Sequence, residues 1–222
     1  HGVHSPTRQK PGINAFMAQG LLLIVSAPSG AGKTSLVAAL LKRDPRLMVA
    51  VSHTTRTRRP QEKNGVNYHF VDADRFRKMA ENGEFLEHAE VFGNHYGTSV
   101  EAVDRPRAEG RDVVLEIDFQ GAIQVRQRYP EAVSLFILPP SQNALETRLE
   151  ARGQDDEAVI RERLAKARWE MSHYAEYDYL IVNDAFETAL DDMRSIVRAE
   201  RLRLRPQRDR LQTLLHDLLS EP

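Results

Sequence analysis

One segment constrains this chain more than any other. An apolar run at residues 21–26 is followed at once by Ala27-Pro28-Ser29-Gly30-Ala31-Gly32-Lys33-Thr34-Ser35, and then by Leu36, Val37, Leu40 and Leu41 at helical spacing. A run that is apolar on both alternations reads as a strand buried on both faces of a parallel sheet. Strand, glycine-rich loop and helix in that order are the setting of a phosphate-binding loop. Backbone N–H groups around Gly30 and Gly32 can converge on phosphate oxygens, the helix N-terminus adds positive potential, and Lys33 supplies a point charge for β- and γ-phosphates. Thr34 is placed to give its hydroxyl to Mg2+. The strict pattern opens on Gly where this chain has Ala27, a departure at the outer edge of a loop whose Gly32-Lys33-Thr34 end is intact. A nucleoside triphosphate is expected here. The reaction is not, because ATPases, GTPases and kinases share the loop.

Similar runs recur at 112–118, 133–138 and 179–182, separated by helix-like stretches at 33–42, 120–128, 143–152, 156–174 and 186–204. The alternation predicts an α/β fold, a parallel-sheet core flanked by helices and built from 17–48 and 101–222. Residues 49–100 break the rhythm with Thr, Arg, Asn and aromatics punctuated by Gly65, Gly83, Gly93 and Gly97, and predict an inserted lobe of short strands and a helix. Residues 1–16 start with His, carry Pro, Gly and polar residues without apolar periodicity, and precede Met17; an expression extension is expected, a flexible arm being the other reading. Pro206 is expected to end the last long helix. Leu211, Leu214, Leu215, Leu218 and Leu219 then begin an amphipathic one that packs on the domain or makes a homodimer contact. The seven arginines from Arg194 to Arg210 read as a solvated face or the border of a partner helix.

With 31 Lys+Arg against 32 Asp+Glu the formal charge is −1, which argues against binding nucleic acid through a broad basic surface. The absence of Cys excludes a disulfide framework, a thiol nucleophile and Cys-ligated metals. The longest apolar runs fall far short of the roughly 20 residues that span a bilayer, and no signal-type core precedes them. A cytoplasmic protein without membrane attachment is expected. His88 and His95 are a weak metal signal, since no third ligand is well placed and the H-x-E deaminase pattern lacks its cysteines.

Six segments then occur together and in order: SAPSGAGKT (26–34), SHTTRTRRP (52–60), FLEHAEVFGNHYGTS (85–99), EIDFQG (116–121), RLEARG (148–153) and YLIVND (179–184). The set resembles guanylate kinase of the bacterial type, from about Met17 to the C-terminal helices. The resemblance implies phosphoryl transfer from ATP to GMP, giving ADP and GDP, with Mg2+. It implies that Ser52, Arg56 and Arg59 grip the acceptor phosphate, with Tyr68 and Tyr96 as phenol donors, a set suited to a dianionic monoester. For guanine it implies Glu87 as acceptor for N1–H and the N2 amino group, Thr98 as donor to O6, and Asp118 as second acceptor. Glu84 and Glu90 are read as one helical step either side of Glu87, the first exposed and the second standing behind the site.

The resemblance also implies lid arginines Arg148, Arg152 and Arg163, in a mobile lid near 148–163 with its tip at 153–156, and a donor-base contact at Asn183. Arg161 falls outside the pattern. Two departures stand out: Glu116 where the family commonly has Asp, and Arg58 where it often has Pro. Two rival readings stand beside this one. A guanylate-kinase-like peptide-binding module would be expected to show an eroded loop or lid, and a kinase for a non-guanine acceptor is opposed by Glu87, Thr98 and Asp118.

Overall fold

A computed structural model describes residues 19–151 and 157–220. The expected extension at 1–16, Arg152 and the expected lid tip lie outside the described residues. In chain order the elements are β1 (Leu22–Ser26), α1 (Lys33–Arg43), β2 (Leu47–Val49), β3 (His53–Thr54), β4 (His69–Phe70), α2 (Ala73–Glu81), β5 (Phe85–Val91), β6 (Asn94–Ser99) and α3 (Val100–Ala108). They continue with β7 (Asp112–Glu116), α4 (Phe119–Arg128), β8 (Val133–Leu138), α5 (Gln142–Glu150), α6 (Glu157–Ser172), β9 (Tyr179–Val182), α7 (Phe186–Arg201), α8 (Leu204–Arg210) and α9 (Gln212–Leu219).

The core sheet runs β2-β7-β1-β8-β9 with every pairing parallel. β1 is buried along its whole length, and its alternation divides it between two cores. Leu23 and Val25 pack with Leu36 and Leu40 of α1 and with Leu190 and Met193 of α7. Leu22 and Ile24 pack with Val103 of α3 and with Phe119 and Val125 of α4. Helices on both faces leave no position on β1 for a polar side chain facing water, which explains a run without alternation. The chain passes from β1 to the β2 side, and later from β7 across β1 to β8. The strand order therefore reverses beside β1, where ligands of open parallel sheets settle at the C-terminal strand ends.

The second sheet, β4-β3-β6-β5, stands on a small core of Phe76, Met79 and Phe85. Aromatic rings extend that core: His53 stacks on His69 at 4.6 Å, and His95 stacks on Phe76 at 5.4 Å.

Three sequence expectations are corrected. Glu84, Glu87 and Glu90 do not share a helix, because 85–91 form a strand. A bulge between Phe85 and Glu87 lets three consecutive residues be buried: Phe85 in the lobe core, Leu86 in the main core, and Glu87 toward the gap between them. Glu84 and Glu90 are both exposed. Pro206 does not break a helix but sits in the first turn of α8, where an N–H would have no intrahelical partner. The break falls instead at Leu202 and Arg203. Arg201 belongs to no solvated face: its guanidinium bridges Asp44, beyond α1, and Asp112, which also accepts the Leu21 N–H at 2.7 Å.

Arg201 thus ties α7 to the start of two neighbouring strands, and its loss leaves two partly buried carboxylates without a counter-charge. Arg201→Ala is expected to cost about 2–4 kcal/mol of unfolding free energy, against less than about 0.5 kcal/mol for the exposed Arg198→Ala. Urea unfolding midpoints at unchanged m check this, and equal midpoints for the two variants would remove Arg201 as a brace.

Candidate active site

The loop after β1 turns on two glycines in the left-handed region, Gly30 at φ 92° and Gly32 at φ 90°. Space also selects them. A Cβ on Gly30 would come to 3.0 Å from Leu145 of α5, and one on Gly32 to 2.4 Å from Asn183 Nδ2. That amide is buried and donates to the Ala31 carbonyl at 2.8 Å, so the loop is braced from the end of β9. Arg148 in turn donates to the Asn183 carbonyl at 3.3 Å. Helices α2, α3, α4 and α5 are each capped by a side chain, from Asp72, Ser99, Asp118 and Ser141 respectively. α1 has neither a side-chain cap nor an acid in its first turn. Its leading N–H groups remain available to an anion, with Lys33 beside them.

The loop forms one wall of a cleft of about 350 Å3. Lys33, Thr34 and Ser35 line that wall, and Ser52, Tyr68, Glu87 and Tyr96 line the wall of the inserted lobe. Glu116 and Asp118, at the end of β7, lie between them. Asp118 has a second task, since its Oδ1 accepts the Gly121 N–H at 3.0 Å and starts α4. Thr98 is fully buried behind the lobe wall, with its hydroxyl 2.8 Å from Ser52 Oγ.

Glu87 is 4% exposed. Burial pushes its carboxyl up to about 7, the nearby Asp118 adds to the rise, and a hydrogen bond from Thr98 opposes it. Gly121 makes room for this group, because a Cβ there would stand 2.6 Å from Glu87 Oε2. The glycine that ends the EIDFQG segment therefore belongs to the geometry of the carboxylate.

Arg56 and Arg59 do not line the cleft but meet at Glu62. Arg56 Nη2 lies 2.6 Å from Glu62 Oε1, its guanidinium also bonds Tyr96, and the Arg59 main-chain N–H donates to Glu62 Oε2 at 2.8 Å. The Arg56 hydrogen bond holds Glu62 below the usual carboxylate range. Arg58 is exposed and donates to the Glu62 carbonyl at 2.9 Å. Arg148 stands on α5 behind the loop, Arg163 lines the cleft from α6, and Arg161 is exposed.

Sequence reasoning missed a third wall. Lys166 and Glu170 line the cleft from α6, at steps of three and four residues beyond Arg163, and that spacing was the available signal. Burial also pushes Glu170 up to about 7, while Lys166 pulls it down and Asp118 adds to the rise. Glu62 was missed as well. Three residues beyond Arg59 in a polar stretch, it looks like any exposed acid. His88 and His95 face the ring of Phe76, and among the described residues no group of three or more His, Asp or Glu is gathered to hold a metal ion. The oxygens facing the loop, on Thr34, Glu116 and Asp118, are hard donors that fit Mg2+ arriving with nucleotide phosphates.

A phosphate loop on a parallel sheet, facing a carboxylate-bearing lobe across one cleft, defines a nucleotide kinase of the phosphate-loop class. The comparisons narrow the class. A profile of the guanylate kinase family matches residues 19–200. The guanylate kinase of Escherichia coli strain K12 is 59% identical over 207 residues, which are 92% of this chain and all of that protein. That of Alkalilimnicola ehrlichii is 59% identical over 201 residues, covering 90% and 99% of the two chains. The crystal structure of guanylate kinase from Anaplasma phagocytophilum superposes with a TM-score of 0.73 at 35% identity, covering 91% of this chain and 97% of that one. The chain belongs to the guanylate kinase family.

The raised Glu87 sets a pH dependence of stability. An acid whose carboxyl sits higher folded than unfolded makes the native state bind more protons, so its contribution is lost as pH rises from about 4.5 to about 7. Glu87→Gln is expected to gain stability on wild type by about 3 kcal/mol at pH 8 while matching it at pH 4.5. Unfolding curves that kept the same separation at both pH values would show that Glu87 does not titrate in this window.

Proposed function

We propose a division of labour within this cleft for the reaction of the family, transfer of the γ-phosphoryl group of ATP to GMP. One observation carries it: the phosphate loop and the Glu87 carboxylate line the same cavity from two walls, with Asp118 between them. The ATP phosphates lie in the loop from Ala27 to Ser35, on its N–H groups and the Lys33 ammonium. Asn183 acts here by bracing Ala31, a task the structure supports better than contact with the donor base. Thr34 would hold Mg2+, with Glu116 nearby; when bound, the ion supplies charge neutralisation on the phosphates.

The acceptor phosphate is gripped by Ser52, Tyr68 and Tyr96, and by Arg56 and Arg59. Glu62 holds the Arg56 guanidinium until a dianion competes for it, and accepts the Arg59 main-chain N–H, which fixes the backbone that carries the second arginine. Guanine offers two donors on one edge. Ionised Glu87 accepts both, Thr98 donates to O6, and Asp118 is the second acceptor, whereas adenine places no such donor pair there. Arg163, with Arg148 and Arg152, stabilises charge on the transferring group as the segment near 148–163 closes and excludes water. The acceptor oxygen is already ionised, so no general base is required. The intact loop and open cleft weigh against a peptide-binding module. Exposed Leu214, Leu218 and Leu219 on α9 support the expected homodimer contact through the C-terminal helices, and among the described residues no helix is long and apolar enough to cross a membrane.

Lys33→Met is expected to abolish ADP formation while GMP binding persists, measured by coupled ADP release and by calorimetry. Glu87→Ala should raise KM for GMP by on the order of 100-fold and KM for ATP by far less. Equal wild-type rates with GMP, AMP, UMP and TMP would overturn guanine recognition. Gly121→Ala is expected to raise KM for GMP by roughly 10-fold with little change in Tm, because the added methyl displaces the end of a side chain rather than backbone. A large Tm loss would assign Gly121 to folding instead.

A further inference from the structure

The turn between β5 and β6 is Phe92-Gly93, flanked by the paired residues Val91 and Asn94. Phe92 has φ 50° and Gly93 φ 70°, so both central residues are left-handed, as in a type I′ hairpin turn. Such turns favour Asn, Asp or Gly at the first central position; an aromatic there carries a steric penalty that Asn largely avoids. Among the described residues Phe92 is the one non-glycine with positive φ. Core packing does not compensate, since Phe92 is 53% exposed. Its ring instead lies under the ammonium of Lys166, with Nζ 4.2 Å from the centroid, inside cation–π range.

Lys166 is on α6, and both residues line the cleft. The hairpin and α6 therefore meet across its mouth. The strands behind Phe92 carry Glu87, Tyr96 and Thr98, and the turn before Lys166 carries Arg163. We infer that Phe92 and Lys166 form a clasp that positions the acceptor-binding hairpin against α6, setting the distance between the guanine-reading carboxylate and the helix that bears Arg163. Both are positioning residues, and the backbone strain at Phe92 is retained because the ring must reach over the cleft. The clasp rests on the reading of this wall as the GMP site.

Phe92→Asn separates clasp from scaffold, because it suits the turn and removes the ring. It is expected to leave Tm equal or higher while raising KM for GMP by about two- to five-fold, the factor of a solvent-exposed cation–π contact. The KM for ATP should move less than that for GMP, and kcat should fall less than KM rises. Lys166→Met should match it, Lys166→Arg should restore wild-type behaviour, and the double variant Phe92→Asn with Lys166→Met should be no worse than either single one. A fall in Tm with Phe92→Asn, an unchanged KM for GMP, or additive effects in the double variant would each overturn the clasp. If the wild-type chain turned over GMP normally, those outcomes would sink the clasp alone. A wild type without GMP turnover would overturn the site reading and the clasp with it.

Discussion

The bend at Gly30 and Gly32 is the constraint on which the rest of the molecule depends. The loop closes on itself through the Ala31 N–H, which donates to the Pro28 carbonyl at 3.1 Å, and neighbours hold the rest of it in shape. Three do so. β1, buried on both faces, anchors the entry; α5 closes against Gly30; and the Asn183 amide fastens the Ala31 carbonyl from the far end of β9. Each support comes from a different stretch of chain, and the parallel sheet brings their ends to one edge. The Arg201 bridge at the opposite edge keeps α7 and the strand starts in register with them.

Charge in the cleft is arranged by burial as much as by pairing. Beside the cleft Glu62 pairs with Arg56, so that guanidinium is held in one orientation. The acids that line the cleft are treated the other way. Glu87 and Glu170 are desolvated until their carboxyls sit near 7. The net charge of −1 conceals this division.

The core strands, the phosphate loop and its helix were legible because their signals are local. Five apolar residues in succession and two glycines before Lys33 mean the same thing in almost any surroundings. Glu87 shows the opposite case. Its three-residue spacing from Glu84 and Glu90 imitates a helix, and only the strand pairing to β6, with the bulge that turns three residues inward, reveals a buried carboxylate. Asn183 stood out in its motif as a donor-base contact, yet the partner of its amide lies 152 positions away, so its bracing action was not legible. Lys166, Glu170 and Glu62 were missed for a related reason: a charged side chain on a helix or loop has no local mark that tells solvent from cleft.

By itself the sequence determined the class of fold, the triphosphate loop and, through six motifs in order, the family. These rest on backbone geometry and burial periodicity, which neighbouring residues dictate. Tertiary structure alone decided which carboxylates face one another, that Glu62 holds the Arg56 guanidinium, and which helix closes the third side of the cleft. Those outcomes depend on the solvation and distance of groups far apart in the chain, and neither quantity is written in local order.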